Sequence, residues 1–308
     1  MPATHIVSYS ELDTARQCLF KHRLAYKERW VGITRSPALA KGTLWHEVME
    51  NYYLTLQFFQ QVSDGKWAPA FPAVPYDPDL VLEEAFRVGM SILINDDGSY
   101  KDENCELIGW MFQGYVEYYG VDENWKILAV EQAFEFWLPT DRGGRSGFKE
   151  KRKLDLAVRD LEHNRRLVVD HKSGKNLPYD KELDIDDQFG LYVWGMGQAG
   201  RPVFGAIHSA ARTQRNKDQT KNPQLLEDRH KRSMLFRTDR ELEAIAIDAY
   251  RTARVAYGSK PGEEPRSPNT DTCRWRCDYT EACLGSRKGM DERELLIGLG
   301  FEQNFKRH

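Results

Sequence analysis

The stretch Val168-Val169-Asp170-His171-Lys172-Ser173-Gly174-Lys175, taken with Lys153-Leu154-Asp155-Leu156-Ala157-Val158 fifteen residues earlier, decides the fold. Each is an apolar run carrying one acidic residue where a neutral one would sit more comfortably. The polar turn Glu162-His163-Asn164-Arg165-Arg166 between them joins the two runs into an antiparallel hairpin. Such a hairpin brings Asp155 and Asp170 together. Two carboxylates supply the oxygen ligands that Mg²⁺ or Mn²⁺ prefers. The ammonium of Lys172, two residues past Asp170, can orient a water or meet developing negative charge, so the set suits phosphodiester hydrolysis.

Working outward, residues 127–138, 151–160 and 166–172 predict three strands, and 184–198 predict an amphipathic helix with Gln188 and Tyr192 on one face at i,i+4. Residues 202–209 form an apolar, buried strand. Upstream, residues 8–30 predict a helix capped by Ser8 or Ser10 and holding Cys18, and residues 38–60 predict a second helix holding His46. A Pro-rich break follows at 68–78. Residues 79–119 then predict a helical insertion of two helices parted by Asn95-Asp96-Asp97-Gly98. Downstream come a polar segment at 213–232 with little apolar content, a helix at 238–257, a stiff linker at 261–268 and a cysteine cluster, with 238–290 as one C-terminal portion. The order implies an α/β chain with a sheet at 125–210, organised as one domain over 1–308.

Composition narrows the partners. With 308 residues and 41% apolar side chains the chain can bury a sizeable core, and a net charge of -3 excludes a globally basic coat for nucleic acid. Two local basic runs remain: Arg142, Arg145, Lys149, Lys151, Arg152 and Lys153 leading into the Asp155 strand, and Arg212, Arg215, Lys217, Lys221, Arg229, Lys231 and Arg232. No apolar run approaches the roughly 20 residues of a membrane span, and Met1-Pro2-Ala3-Thr4-His5 has no signal-peptide character, so a soluble cytoplasmic protein without a membrane partner is expected. Five cysteines, an odd number, argue against a disulfide framework.

His46 in Gly42-x-x-x-His46, Asp155 in Leu154-Asp155-Leu156, Asp170-His171-Lys172 and Gln188-x-x-x-Tyr192 together resemble the successive motifs of the RecB-like branch of the PD-(D/E)xK nuclease superfamily. The resemblance runs from about Ser8 to Cys283. It implies a restriction-endonuclease-like core, a mixed central sheet flanked by helices. It also implies that His46, Asp155, Asp170 and the backbone carbonyl of His171 are metal ligands for Mg²⁺ or Mn²⁺. Lys172 would be the catalytic lysine, with Gln188 and Tyr192 supporting the site and contacting DNA. Glu131, in Val130-Glu131-Gln132 on the preceding strand, could face the same cleft as a further ligand.

Cys273, Cys277 and Cys283 offer three thiols within eleven residues, and Cys18 can be the fourth of a tetrahedral set. One early and three late cysteines are similar to the pattern of iron-sulfur nucleases of that branch, such as AddB subunits and Cas adaptation exonucleases, in which they hold a 4Fe-4S cluster. The chain departs from many of those relatives by placing three residues rather than two between the first two late cysteines. Zn²⁺ is the alternative, since four thiolates suit it on softness alone. A cluster tying residue 18 to residues 273, 277 and 283 would clamp the two ends of the chain around the core. Cys105 has no partner pattern.

Two functions follow from the resemblance. One is a metal-dependent exonuclease acting on DNA that is single-stranded or has free ends, in recombination or repair. The other is a nuclease fold that has stopped cutting and serves as a DNA-binding scaffold or as a subunit beside a helicase. No Gly-x-x-x-x-Gly-Lys-Ser/Thr motif is present, so a motor would have to be another chain. Trp45, Trp110, Tyr115 and Trp275 are the aromatic residues considered for stacking on bases.

Overall fold

The computed structural model describes residues 4–33, 37–64, 77–216, 221–260 and 262–305; Lys217 and nearly all of the Pro-rich break at 68–78 lie outside them. In chain order the elements are β1 (His5–Val7), α1 (Tyr9–Gln17), α2 (Leu19–His22) continuing into a π-helical turn (Arg23–Lys27), β2 (Trp30–Gly32), α3 (Pro37–Ser63), α4 (Pro78–Ser91), α5 (Glu103–Tyr119), β3 (Trp125–Pro139), β4 (Arg145–Asp160) and β5 (Arg165–Gly174). There follow α6 (Asp180–Asp184), α7 (Asp187–Gln198), β6 (Gly205–Arg212), β7 (His230–Leu235), α8 (Asp239–Gly258), α9 (Thr270–Trp275), α10 (Thr280–Arg287), α11 (Glu292–Gly298) and β8 (Phe301–Gln303). The chain divides into two compact units, one made of Met1–Ser36, Glu135–Lys151 and Ala244–His308, the other of Pro37–Phe134 and Arg152–Glu243.

The second unit holds the hairpin. β4 and β5 pair antiparallel from Asp160↔Arg165 to Leu156↔Val169, as the alternation of the two runs requires. The turn closes because the Asp160 carboxylate accepts from the backbone N–H of Glu162 (3.1 Å) and His163 (3.4 Å), while Asn164 adopts the left-handed backbone that asparagine tolerates. β5 then pairs parallel with β6, and β6 antiparallel with β7, giving a mixed sheet with β7 at its end. A parallel pair needs a crossover, and α6 and α7 provide it. Gly205 opens β6 where a Cβ would lie 2.7 Å from the Leu235 carbonyl oxygen, so no larger residue fits that close strand approach.

Period-2 alternation sorts the sheet's two faces. Leu156, Val158, Leu167, Val169, Ile207 and Ala211 turn to one side and share a core with Trp45, Tyr52, Tyr53, Ile108, Met111, Phe112 and Tyr115 of α3 and α5. Each such side chain contributes about 1.5–3 kcal/mol by leaving water. The helices of the expected insertion are built into this same core through Val81, Ala85, Cys105 and Ile108. Their starts are fixed by Asp77, which accepts from the Asp79 and Leu80 N–H groups, and by Asp102, which accepts from Cys105 N–H at 2.7 Å. The other face meets α7, whose Phe189 packs edge-on to His208 with centroids 5.5 Å apart. A central mixed sheet flanked by helices is consistent with the restriction-endonuclease-like fold expected from the motifs.

One buried ion pair joins these layers. Arg232 of β7 pairs with Asp122, donates to Tyr115 Oη at 2.6 Å and to Tyr53 Oη at 3.2 Å, and stacks over Tyr119 at 3.6 Å and Trp125 at 4.2 Å. Tyr53 in turn donates to Asp122 at 2.8 Å.

The first unit is built on shorter pieces. β1 runs parallel to residues 148–150 of β4, β2 pairs antiparallel with β8, and Phe20, Leu24, Trp30, Tyr279, Ala282 and Leu296 form a small core. Arg23 gathers Glu28, Glu264 (3.2 Å) and Glu292 (2.8 Å) around one guanidinium. Glu11 accepts from Tyr257 at 2.7 Å and lies 2.9 Å from His22 Nε2.

Several boundaries differ from the sequence-based expectation. The helix expected over 8–30 keeps its Ser8 cap but breaks at Cys18, whose backbone is extended, resumes as α2 and its π-turn, and ends before Trp30, which is in a strand. The helix expected from 184 begins at Asp187, because Asp186 leaves the helical region to accept from Gln188 N–H at 2.8 Å. The end of the polar segment at 213–232 is the start of β7, a strand whose alternating Lys231, Arg232 and Ser233 hide its apolar contribution.

Because Arg232 and Asp122 are both largely buried, Arg232→Met should cost about 3–5 kcal/mol in chemical denaturation by leaving Asp122 uncompensated. Lys126→Met, which removes a half-exposed pair with Asp64, should cost less than about 1 kcal/mol. Equal effects would overturn this assignment of the ion pair.

Candidate metal centre

The hairpin does bring the two acids together. One step past the last paired residues, Leu156↔Val169, come Asp155 and Asp170. Alternation along β5 sends Asp170 and Lys172 to the α7 face and His171 to the α3 and α5 face. There the His171 ring stacks on Tyr53 with centroids 5.3 Å apart and meets Tyr115 edge-on, and burial pushes its pKa down to about 3, so it is neutral. Its backbone faces the site instead: His171 N–H donates to Asp155 Oδ2 at 2.7 Å.

His46 reaches the same oxygen from α3, with Nδ1 3.2 Å from Asp155 Oδ2. Ligand atoms of His46, Glu131 and Asp155 lie within 4.8 Å of one another. One imidazole with carboxylate oxygens at that spacing is a donor set that fits Mg²⁺ and favours Mn²⁺. Glu131 attains this place at a backbone cost. It sits within β3 at φ 48°, a left-handed conformation that a non-glycine residue holds only when its surroundings enforce it. Asp160, Glu162 and His163 show similar spacing, but the Asp160 carboxylate is occupied with closing the hairpin turn.

Asp170 is anchored through Oδ1, while among the described residues its buried Oδ2 makes no hydrogen bond and has only the Lys172 ammonium beside it. Oδ2 pairs with Lys172 Nζ at 2.7 Å, while Oδ1 accepts from Gln188 Nε2 and from Tyr192 Oη, both at 3.3 Å. Tyr192 also lies 3.1 Å from the Lys153 carbonyl, and Arg152 donates to the Gln188 carbonyl at 2.9 Å and stacks over Tyr192 at 4.5 Å. Thus the helix expected to carry Gln188 and Tyr192 is pinned to both strands of the hairpin.

The two carboxylates are driven in opposite directions. Burial raises the pKa of Asp170, and the charge of Asp155 adds to the rise while Lys172 opposes it. Burial pushes Asp155 up as well, but its hydrogen bond with His46 and the charges of His46 and Lys172 outweigh that and hold it low. Burial pushes the Lys172 ammonium toward neutrality, yet Asp170 and Asp155 more than restore it, so Lys172 stays a cation.

Two residues of this neighbourhood escaped the sequence reading. Glu50 lies one turn after His46 on α3, and its i,i+4 spacing from His46 was the available signal. His208 pairs in register with Asp170 on the same sheet face, and burial drops its pKa to about 4. Other expectations are corrected. Trp45 and Tyr115 are buried in the core and cannot stack on bases, and Trp110 is covered by Arg229 at 3.9 Å; Trp275 alone of the four is widely exposed, at 72%. The basic runs are partly consumed within the fold, since Arg152 and Arg229 are buried, Arg232 pairs with Asp122, and Lys149 and Lys153 pair with Glu135 and Glu131.

In the first unit, the break at Cys18 lies beside the late cysteines. Cys18, Cys277 and Cys283 pack on the same small core, and Cys283 feels both of the others as well as Arg266. Cys273, on α9, accepts from Asn269 N–H at 3.5 Å. Cys105 is remote from these, in the core of the second unit.

Comparison with known proteins agrees with this geometry. The family model described as PD-(D/E)XK nuclease superfamily matches residues 6–284. No curated protein matches the chain. Among solved structures, the crystal structure of SSO0001 covers 74% of this chain and 94% of its own at 13% identity, with a TM-score of 0.31, too distant to bear on the chemistry.

Tyr192→Phe removes the hydroxyl that touches Asp170 and the Lys153 carbonyl. A loss of about 0.5–1.5 kcal/mol is expected in denaturation of the metal-free protein. No loss would mean that this hydroxyl does not hold α7 to the hairpin.

Proposed function

The chain belongs to the PD-(D/E)XK nuclease superfamily, and on that premise we propose that it is a Mg²⁺- or Mn²⁺-dependent DNA exonuclease of the RecB-like branch, acting on single strands or free DNA ends in recombination or repair. The observation that carries this is the completeness of the site: His46, Glu131 and Asp155 share one donor cluster, and Lys172 is held on Asp170 beside it. A scaffold that had lost cutting would have no need to keep a lysine ion-paired with a buried carboxylate at that point.

Asp155, His46 and Glu131, with Asp170, would hold the ion, which supplies positive charge to the scissile phosphate and acidifies water near it. The chain's own groups do the rest. His171 N–H and His46 fix the Asp155 oxygen, and Gln188 and Tyr192 fix Asp170, so that Lys172 is aimed by a carboxylate that cannot turn away. Lys172 then orients the attacking water and meets the charge that develops as the water oxygen bonds to phosphorus and the ester P–O bond breaks. α7, pinned by Arg152, keeps Gln188 and Tyr192 on Asp170.

We assign Cys18, Cys273, Cys277 and Cys283 to a 4Fe-4S cluster. The convergence of Cys18 with Cys277 and Cys283 on one small core supports a shared metal group. Zn²⁺ is the alternative occupant, since four thiolates suit it equally on softness. The cluster would act as a structural clamp on the first unit.

Cleavage of end-labelled single-stranded, linear duplex and closed circular DNA tests the proposal. Mg²⁺- or Mn²⁺-dependent loss of the first two with circles spared is expected, and Asp170→Ala and Lys172→Ala should each slow it by at least about 10²-fold. Cutting that survives both substitutions would overturn the site, and binding without cutting would favour the scaffold. Anaerobically purified protein should be brown and contain iron, and Cys277→Ser should bleach it and lower its melting temperature; zinc in place of iron would reassign the cysteines.

A further inference from the structure

Lys153 stands on β4 two residues before Asp155, on the same sheet face by alternation. Its ammonium forms an ion pair with Glu131, the carboxylate that shares the donor cluster with His46 and Asp155. An ordinary surface bridge between two strands would not need this setting. The Glu131 carboxylate is only 11% exposed, and its backbone is held in the left-handed region, so the fold bears strain to aim it inward. Lys153 is also under the charge of two further carboxylates, Glu50 and Asp155, and Glu50 acts on Glu131 in turn. Glu50 and His46, one helical turn apart on α3, face the same way. One ammonium therefore lies among three acids at the rim of the candidate metal centre.

Charge counting says what that ammonium does. In the state that binds metal, with the carboxylates ionised and His46 neutral, Asp155, Asp170, Glu131 and Glu50 bring four negative charges, and Lys153 and Lys172 bring two positive ones. The balance is two negative charges, which one divalent ion neutralises. With a second divalent ion the site would become strongly positive before any phosphate arrived. Without Lys153 the balance would be three negative charges, and Glu131 would lose the ammonium paired with it, a strong attraction for another hard cation.

Resting on the nuclease function proposed above, we infer that Lys153 is the resident second cation of the site: its ammonium pairs with Glu131 in the field of Glu50, restricts the centre to one Mg²⁺ or Mn²⁺ ion, and gives way to a second divalent ion when it is removed. Lys153 is a positioning residue rather than a catalytic one. It holds the Glu131 carboxylate by pairing with it, and it would supply without exchange the positive charge that a second metal could bring.

Equilibrium dialysis of the full-length protein against Mn²⁺, with low-temperature paramagnetic resonance of the bound ions, tests this without measuring activity. Wild-type protein should bind one Mn²⁺ with an uncoupled spectrum. Lys153→Met and Lys153→Gln should each bind two and show spin coupling between them, and adding Glu50→Gln should return the count to one. Lys153 is more than half exposed, so neither substitution threatens folding. Two ions in the wild type, or one ion in both Lys153 variants, overturns the role of Lys153 while leaving the metal centre intact. No Mn²⁺ bound by wild type, with Asp155→Asn indistinguishable from it, overturns the metal centre itself and the inference with it.

Discussion

The second unit depends on one buried charge. Arg232 sits at the end strand of the sheet, and its two terminal guanidinium nitrogens find their partners where Asp122, Tyr53 and Tyr115 converge. Those partners come from α3, α5 and the turn after α5, so the pair fixes two helices and a strand relative to one another. Desolvating such an ion costs several kcal/mol, so the arrangement is tolerated only while every partner is in place. This makes the packing of α3 nearly all-or-none. Tyr53 lies two turns beyond His46 on that helix, on the same face, and it also stacks on His171. The anchor at one end of α3 thereby sets the angle at which His46 meets Asp155 at the other.

Much of the site was legible because it rests on local periodicity. The β4–β5 hairpin follows from two alternating runs and a polar turn, and once it forms, Asp155, Asp170 and Lys172 cannot be far apart. Gln188 and Tyr192 were legible as a helix face, and their contact with Asp170 follows from the crossover that a parallel strand pair demands. What was not legible arises from tertiary competition. Arg229 and Arg232 read as a basic path for nucleic acid, yet burial with Trp110 and Asp122 takes them out of reach. Trp45 and Tyr115 read as possible base platforms, yet the helical spacing that suggested them is that of a core.

The first unit shows the same limit from another side. β2 and β8 pair across nearly the whole chain, and no local pattern in Trp30-Val31-Gly32 announces a partner at Phe301-Glu302-Gln303. The break at Cys18 was invisible to helix propensity, because the residues on both sides favour helix. Its reason is positional: an extended residue between α1 and α2 carries the thiol toward Cys277 and Cys283, at the expense of helical continuity.

Glu131 has a consequence for how this chain can change. Its left-handed backbone is a conformation that glycine adopts without strain, so a glycine there would relieve the strand while deleting a carboxylate from the candidate metal centre. Selection for thermal robustness and selection for turnover therefore push this one position in opposite directions. A stabilised descendant that has drifted toward a pure binding role would be expected to record that history first at residue 131, before the hairpin acids themselves are lost.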